Sequence, residues 1–148
     1  MSDPARGILI VEARFYEDIA EALAQAAIAE IERRGARYER VAVPGAFEIP
    51  AAIAMAAKAK PRFEGYVALG CVIRGETSHY DYVCGESARG LMDLSIKRRL
   101  AIGYGILTVD SREQAEARAG GAKGNKGTDA AAACFDMIDL KRRFGKDR

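Results

Sequence analysis

One histidine, His79, serves a chain of 148 residues. Three cysteines, Cys71, Cys84 and Cys134, are widely spaced and form no CxxC pair. One histidine and scattered thiols do not make a zinc set, so no metal is expected. The cysteines read as small core residues of a reduced, cytoplasmic protein. Long apolar runs are missing too. Nothing approaches the roughly 18 apolar residues of a membrane span. The apolar run after Gly7 is five residues at most and lacks a cleavage pattern, so no signal peptide is expected. A large charge of one sign is also absent: the net charge is +2. That is too small to point to a nucleic acid or a membrane surface as partner. The clusters Lys97-Arg98-Arg99 and Lys141-Arg142-Arg143 fall at predicted helix ends, where they complement the helix dipole. There is no internal repeat and no low-complexity tract beyond alanine enrichment.

What is present is ordinary for one globular domain over residues 1–148, with 49% apolar and 30% charged residues. Strand and helix patterns alternate. Gly7–Val11 is a continuous apolar run of the kind buried on both sheet faces. The stripe Ile19, Leu23, Ala27, Ile31 predicts a helix from Asp18 to Arg34, with Gly35 as its C-cap. Tyr38–Val43 reads as a strand ended by Pro44-Gly45. Pro50 suits the first turn of a second helix and Pro61 stops it. Tyr66–Ile73 reads as a strand, Tyr80–Leu100 as a helix and Ile102–Val109 as a fourth strand. Ser111 and Gln114 form a capping box for a short helix ending near Gly120-Gly121. A loop, 122–127, leads to a last helix carrying Ala131, Cys134, Phe135 and Ile138. Such alternation implies an α/β, flavodoxin-like three-layer sandwich: a four-stranded parallel sheet with helices on both faces.

In open α/β sheets, ligands bind beyond the carboxyl ends of the strands. After the first strand stand Phe15 and Tyr16, which either stack on a planar ring or pack under the loop. After the second comes Gly45-Ala46-Phe47-Glu48. Its backbone could read the edge of a heterocycle, while Glu48 could equally serve the dipole of the next helix. After the third comes Gly75-Glu76-Thr77-Ser78-His79. Free N–H groups at a helix N-terminus attract anions, and Gly75 lets a phosphate approach. Thr77 and Ser78 can cap the helix, donate to a phosphate, or divide those tasks. The GxxxxGK[ST] pattern of a P-loop is absent. His79 in the first turn is either structural or a carrier of protons. Arg118 and Lys126 are phosphate ligands or solvated surface. These residues describe a domain binding a phosphorylated ligand that bears a ring; they do not name a reaction.

Five blocks together go further. Pro44–Pro50, Gly70–Val83, Gly105–Thr108, Gln114–Gly120 and Gly124–Gly127 resemble the lumazine synthase family in order and spacing. The resemblance implies an enzyme, a transferase of riboflavin biosynthesis with no cofactor. Such an enzyme condenses 5-amino-6-(D-ribitylamino)uracil with 3,4-dihydroxy-2-butanone 4-phosphate to give 6,7-dimethyl-8-ribityllumazine, phosphate and water. It further implies that Phe15 stacks on the pyrimidine and that Ala46, Phe47, Glu48, Cys71, Val72 and Ile73 contact the uracil and ribityl portions. Glu76, through its N–H, and Thr77 hold the phosphate, and His79 moves the proton. From a neighbouring subunit, Tyr104 completes the aromatic pocket, Arg118 clamps the phosphate and Lys126 lies beside the substrate. Tyr104 stands where phenylalanine is usual, so its hydroxyl needs a partner or an open pocket edge. A homopentamer with sites between subunits is implied, with a shell of twelve pentamers and a riboflavin synthase partner left open. The rival readings are a non-catalytic flavin or lumazine binder that kept the pocket, or a shell-forming structural protein whose catalysis is vestigial; Thr77, His79 and Arg118 together favour the enzyme, since a ring binder needs no phosphate anchor.

Overall fold

The computed structural model describes residues 6–145. These form a parallel sheet in the order β2-β1-β3-β4. The strands are β1 (Ile8–Ala13), β2 (Tyr38–Val43), β3 (Gly65–Ile73) and β4 (Ile102–Val109). Between them run α1 (Glu17–Arg33), α2 (Ile49–Ala56) and α3 (His79–Lys97); α4 (Arg112–Arg118) and α5 (Lys126–Gly145) follow β4. One face of the sheet packs on α1, α4 and α5 through Ile10, Leu23, Ile31, Val67, Leu107, Ala115 and Cys134. The other packs on α2 and α3 through Val11, Ile49, Ile53, Ala68, Leu91 and Ile106. The expected three-layer arrangement is therefore observed, with alternate strand residues feeding opposite cores. α5 lies so close to β4 that a Cβ on Gly103 would collide with the Ala130 carbonyl.

Local chemistry explains most boundaries. α1 ends in a Schellman motif: Gly35, at φ +74°, donates to Glu32 O, and Ala36 donates to Ile31 O at 3.2 Å. Ser111 Oγ accepts from the Gln114 N–H, while the Gln114 side chain accepts from Asp110 N–H, one residue ahead of the cap. Three expectations shift. α2 stops at Ala56, well before Pro61, where three-residue turns take over from Ala57. α3 stops at Lys97 and not Leu100, because Arg99 takes a left-handed φ of +54°. The expected loop 122–127 is instead part of a tight hairpin, β5 (Ala119–Gly121) with β6 (Gly124–Asn125), turned by glycines at positive φ. Lys126 then opens α5. The hairpin is anchored: Asn125 donates to Ala22 O at 3.2 Å and accepts from Gly127 N–H at 2.8 Å.

Cys134 is buried as expected, but Cys71 and Cys84 are only partly so. Arg142 in the basic tail also pairs with Glu64, beyond any service to the helix dipole. Among the described residues, no helix is long and apolar enough to cross a membrane.

Candidate active site

The strand order reverses between β1 and β3, and the ladders make a step there. β1 pairs with β3 only as far as Leu69, while β3 stays paired with β4 through Ile73. Cys71, Val72 and Ile73 thus project past β1 at the point where this fold class binds ligands. Burial pushes the Cys71 thiol up to about 11, so it stays protonated at neutral pH and offers a surface, not a nucleophile.

Around this step stand the loops singled out in the sequence. Phe15 is 75% exposed and meets Tyr16 edge-on, with centroids 4.9 Å apart. Tyr16 is the ring that packs on the core; Phe15 is left presenting a face to solvent. Ala46–Glu48 forms one 3₁₀ turn that buries Ala46 and exposes Phe47 and Glu48. Glu48 is also the N-cap residue of α2, without a side-chain cap bond.

The loop after β3 divides its hydroxyls. Thr77 Oγ1 accepts the His79 N–H at 3.3 Å, while Ser78 in the N-cap position makes no side-chain cap bond. Thr77 is therefore the cap, yet its hydroxyl proton remains available to a phosphate. Gly75 has open space where a Cβ would sit. Glu76, Thr77 and His79 are all exposed.

Tyr104, Arg118 and Lys126 are elsewhere. They line a separate groove of about 360 Å³ along the edge strand β4, together with Leu107 and Thr108. The Arg118 guanidinium is steadied by Gln114 O at 3.0 Å. Burial raises the Tyr104 phenol's pKa, and the nearby Ser87 of α3, a fully buried side chain whose hydroxyl donates to Cys84 O at 3.1 Å, opposes the rise. Within one chain, then, the expected site residues fall into two groups on two surfaces. The larger groove, about 710 Å³, lies at the opposite end of the sheet and includes Arg33, Arg34, Glu64 and Arg142. Its cations already face carboxylates: Arg33 and Arg34 pair with Glu30, and Arg142 with Glu64.

Two charged features escaped the sequence. Glu12, with only 3% of its side chain exposed, is held by Arg40 at 2.6 Å and Arg14 at 2.5 Å, and Glu21 reaches both arginines. Arg74 joins Asp110 and Asp81 at the root of the anion loop. Glu12–Arg40 and Arg74–Asp110 do not follow from spacing, because those partners meet only through strand pairing.

These features define a three-layer α/β domain that gathers an exposed ring, an open strand step and an exposed helix-opening loop at the carboxyl edge of its sheet. Comparison with known proteins gives the particular kind. Residues 6–142 match the model of the family described as 6,7-dimethyl-8-ribityllumazine synthase, and the chain belongs to that family. It is 55% identical over 141 residues to the 6,7-dimethyl-8-ribityllumazine synthase of Bartonella tribocorum, covering 95% of this chain and 93% of the relative. It is 54% identical over 145 residues to 6,7-dimethyl-8-ribityllumazine synthase 1 of Rhizobium meliloti, covering 95% of each.

Proposed function

We propose that this enzyme condenses 5-amino-6-(D-ribitylamino)uracil with 3,4-dihydroxy-2-butanone 4-phosphate to form 6,7-dimethyl-8-ribityllumazine, the penultimate step of riboflavin biosynthesis. The observation that carries the reading is the division of the expected reacting groups between two surfaces. A ring face, a backbone step, an anion loop and a histidine share one rim; an aromatic and two cations share the groove on β4. Each set lacks what the other holds, so a complete site forms where the rim of one copy meets the β4 groove of another. A cyclic homopentamer supplies such contacts at every subunit.

In this site Phe15 stacks on the pyrimidine, and the backbone of Cys71–Ile73 reads its edge together with Ala46, Phe47 and Glu48. Glu76 N–H and the Thr77 hydroxyl hold the phosphate from one side, and the neighbour's Arg118 forks onto it from the other. The amine adds to the ketone, and loss of water gives a Schiff base. Elimination then expels inorganic phosphate, and the second amine closes the ring with loss of another water. His79 carries the protons these steps exchange. Tyr104 closes the aromatic pocket and Lys126 adds a cation beside the substrate. Holding two reactants in register is the larger contribution, worth about 7–11 kcal/mol in oriented systems.

Mixing the protein with both substrates tests this. Lumazine absorbance and released phosphate should rise together, well above the spontaneous rate. Equality with the spontaneous rate would overturn the reading. Sedimentation should give a pentamer or a multiple of it, and a monomer would remove the shared site.

A further inference from the structure

Arg74 follows the last residue of β3 and precedes Gly75, at the root of the anion loop. A free guanidinium there would be a phosphate ligand in its own right. The structure engages it with Asp110, Asp81 and Tyr80 instead. Its backbone N–H extends the ladder, donating to Val109 O at 2.9 Å. Its Nε donates to Asp110 Oδ1 at 2.9 Å, just beyond the end of β4. Its Nη1 lies 3.6 Å from Asp81 Oδ1 in the first turn of α3. The guanidinium carbon sits 4.3 Å over the Tyr80 ring in that same turn. One cation thereby joins the carboxyl end of β4 to the turn that His79 opens.

We propose that Arg74 is a positioning residue: with Asp110 as its required partner, it sets the first turn of α3, and with it His79 and the Glu76–Thr77 loop, against the end of β4. The role in catalysis rests on the synthase reading above. The geometry suits arginine in particular. A planar fork can address two carboxylates and lie on a ring at once, which a lysine ammonium cannot. The charged groups are half exposed or more, with side chains 51%, 65% and 66% accessible for Arg74, Asp81 and Asp110. Exposed pairs of this kind add little to global stability. What the clamp controls is the direction of the turn, and a displacement of about 1 Å at a reacting group costs roughly a hundredfold in rate.

The test combines kinetics, melting curves and the signal of the single histidine. Arg74→Ala and Asp110→Asn should each lower kcat about tenfold or more, with the KM for the butanone phosphate rising in the same direction in both, that for the pyrimidine little changed, and a Tm within about 2 °C of wild type. The double variant should be no slower than Arg74→Ala alone, because the two residues act as one unit. Arg74→Lys should recover only part of the loss. If Arg74 were itself a phosphate ligand, Arg74→Ala would raise the KM for the butanone phosphate, and Asp110→Asn would lower it by freeing the guanidinium. That result, or multiplicative losses in the double variant, overturns the proposal. Without any substrate, the ring resonances of isotope-labelled His79 should move alike in both single variants; unmoved resonances also overturn it. A wild-type protein that makes no lumazine would instead sink the synthase reading, with the histidine signal still deciding the clamp.

Discussion

The loops after β1 and β3 both lean on arginine–carboxylate contacts, and they differ in where those contacts lie. Beside Phe15, Glu12 is 3% exposed and its two arginines are 27% and 33% exposed. Beside His79, Arg74 and its partners are half exposed or more. The same chemistry therefore does different work. A buried carboxylate gripped by two cations belongs to the structure, since breaking it strands charge in a poor solvent. An exposed clamp adds little to folding and can still aim a catalytic turn. On the proposed reading, the platform for the ring is built into the core edge of the sheet, and the phosphate and proton groups are hung outside it.

The comparison breaks first at His79. His79→Ala should reduce kcat by about 10²–10⁴-fold, the range for a lost general acid–base. Its Tm should stay within about 2 °C, because the imidazole is exposed and packs on nothing the core needs. Steady-state assay beside differential scanning calorimetry reads both. A Tm loss as large as that of a core variant would make this turn structural and erase the contrast.

Glu12→Gln should show the reverse. Removing the charge leaves Arg14 and Arg40 sharing Glu21 alone, at a cost of about 3 kcal/mol, the low end for a broken buried pair because both arginines reach solvent. In a chain of this size that lowers Tm by about 6–12 °C. The KM for the pyrimidine should rise with it, since Arg14 adjoins Phe15, while the KM for the butanone phosphate should hold. Melting no lower than Arg74→Ala would show that burial does not separate the two loops.

Arg118→Ala probes the surface that neither loop supplies. A charge-assisted hydrogen bond is worth about 1.5–3 kcal/mol, so the KM for the butanone phosphate should rise about ten- to hundredfold with little effect on the pyrimidine. Equal weakening of both substrates would take Arg118 off the phosphate.

How far the sequence carries depends on whether a signal is local. The apolar runs of β1, β3 and β4 are legible because both sheet faces are covered. β2 is largely exposed and was legible mainly through Pro44-Gly45. β5 and β6, of three and two residues, are too short to carry a period. Gly75-Glu76-Thr77-Ser78-His79 could be read locally as an anion site, since the strand-to-helix switch lies within it. The sequence leaves Phe15 between stacking and packing, and only the fold shows that Tyr16 takes the packed position. Arg118 read alone looks like surface; its grouping with Tyr104 and Lys126 needs the register of α4, α5 and β4. Arg74 and Asp110 meet because Ile73 pairs with Val109, and no spacing announces a register.

The smallest expected effect tests the contrast at the far end of the sheet, where Glu30 stands between the two cases. Its side chain is 9% exposed, but one partner, Arg33, is 67% exposed and the other, Arg34, is 29% exposed. Hydrogen bonds from Arg33 and then Arg34 outweigh the cost of burial and hold its carboxyl at about 2, below an ordinary value of 4.5. A depressed folded-state pKa means the native protein resists the proton that the unfolded chain accepts. The associated stability is present above about pH 4.5 and is lost as pH falls through about 2. Solvent at Arg33 screens much of the attraction, so the contribution should be no more than about 1 kcal/mol. Against Glu30→Gln, the wild-type Tm should therefore stand about 2–4 °C higher at neutral pH, with the gap closing as pH drops from about 4.5 toward 2. A gap that persists unchanged at pH of about 2 would mean the carboxylate's charge is not what Arg33 and Arg34 hold. A gap as wide as that of Glu12→Gln would mean that burial of the carboxylate alone, regardless of its partners' exposure, sets the strength of these contacts.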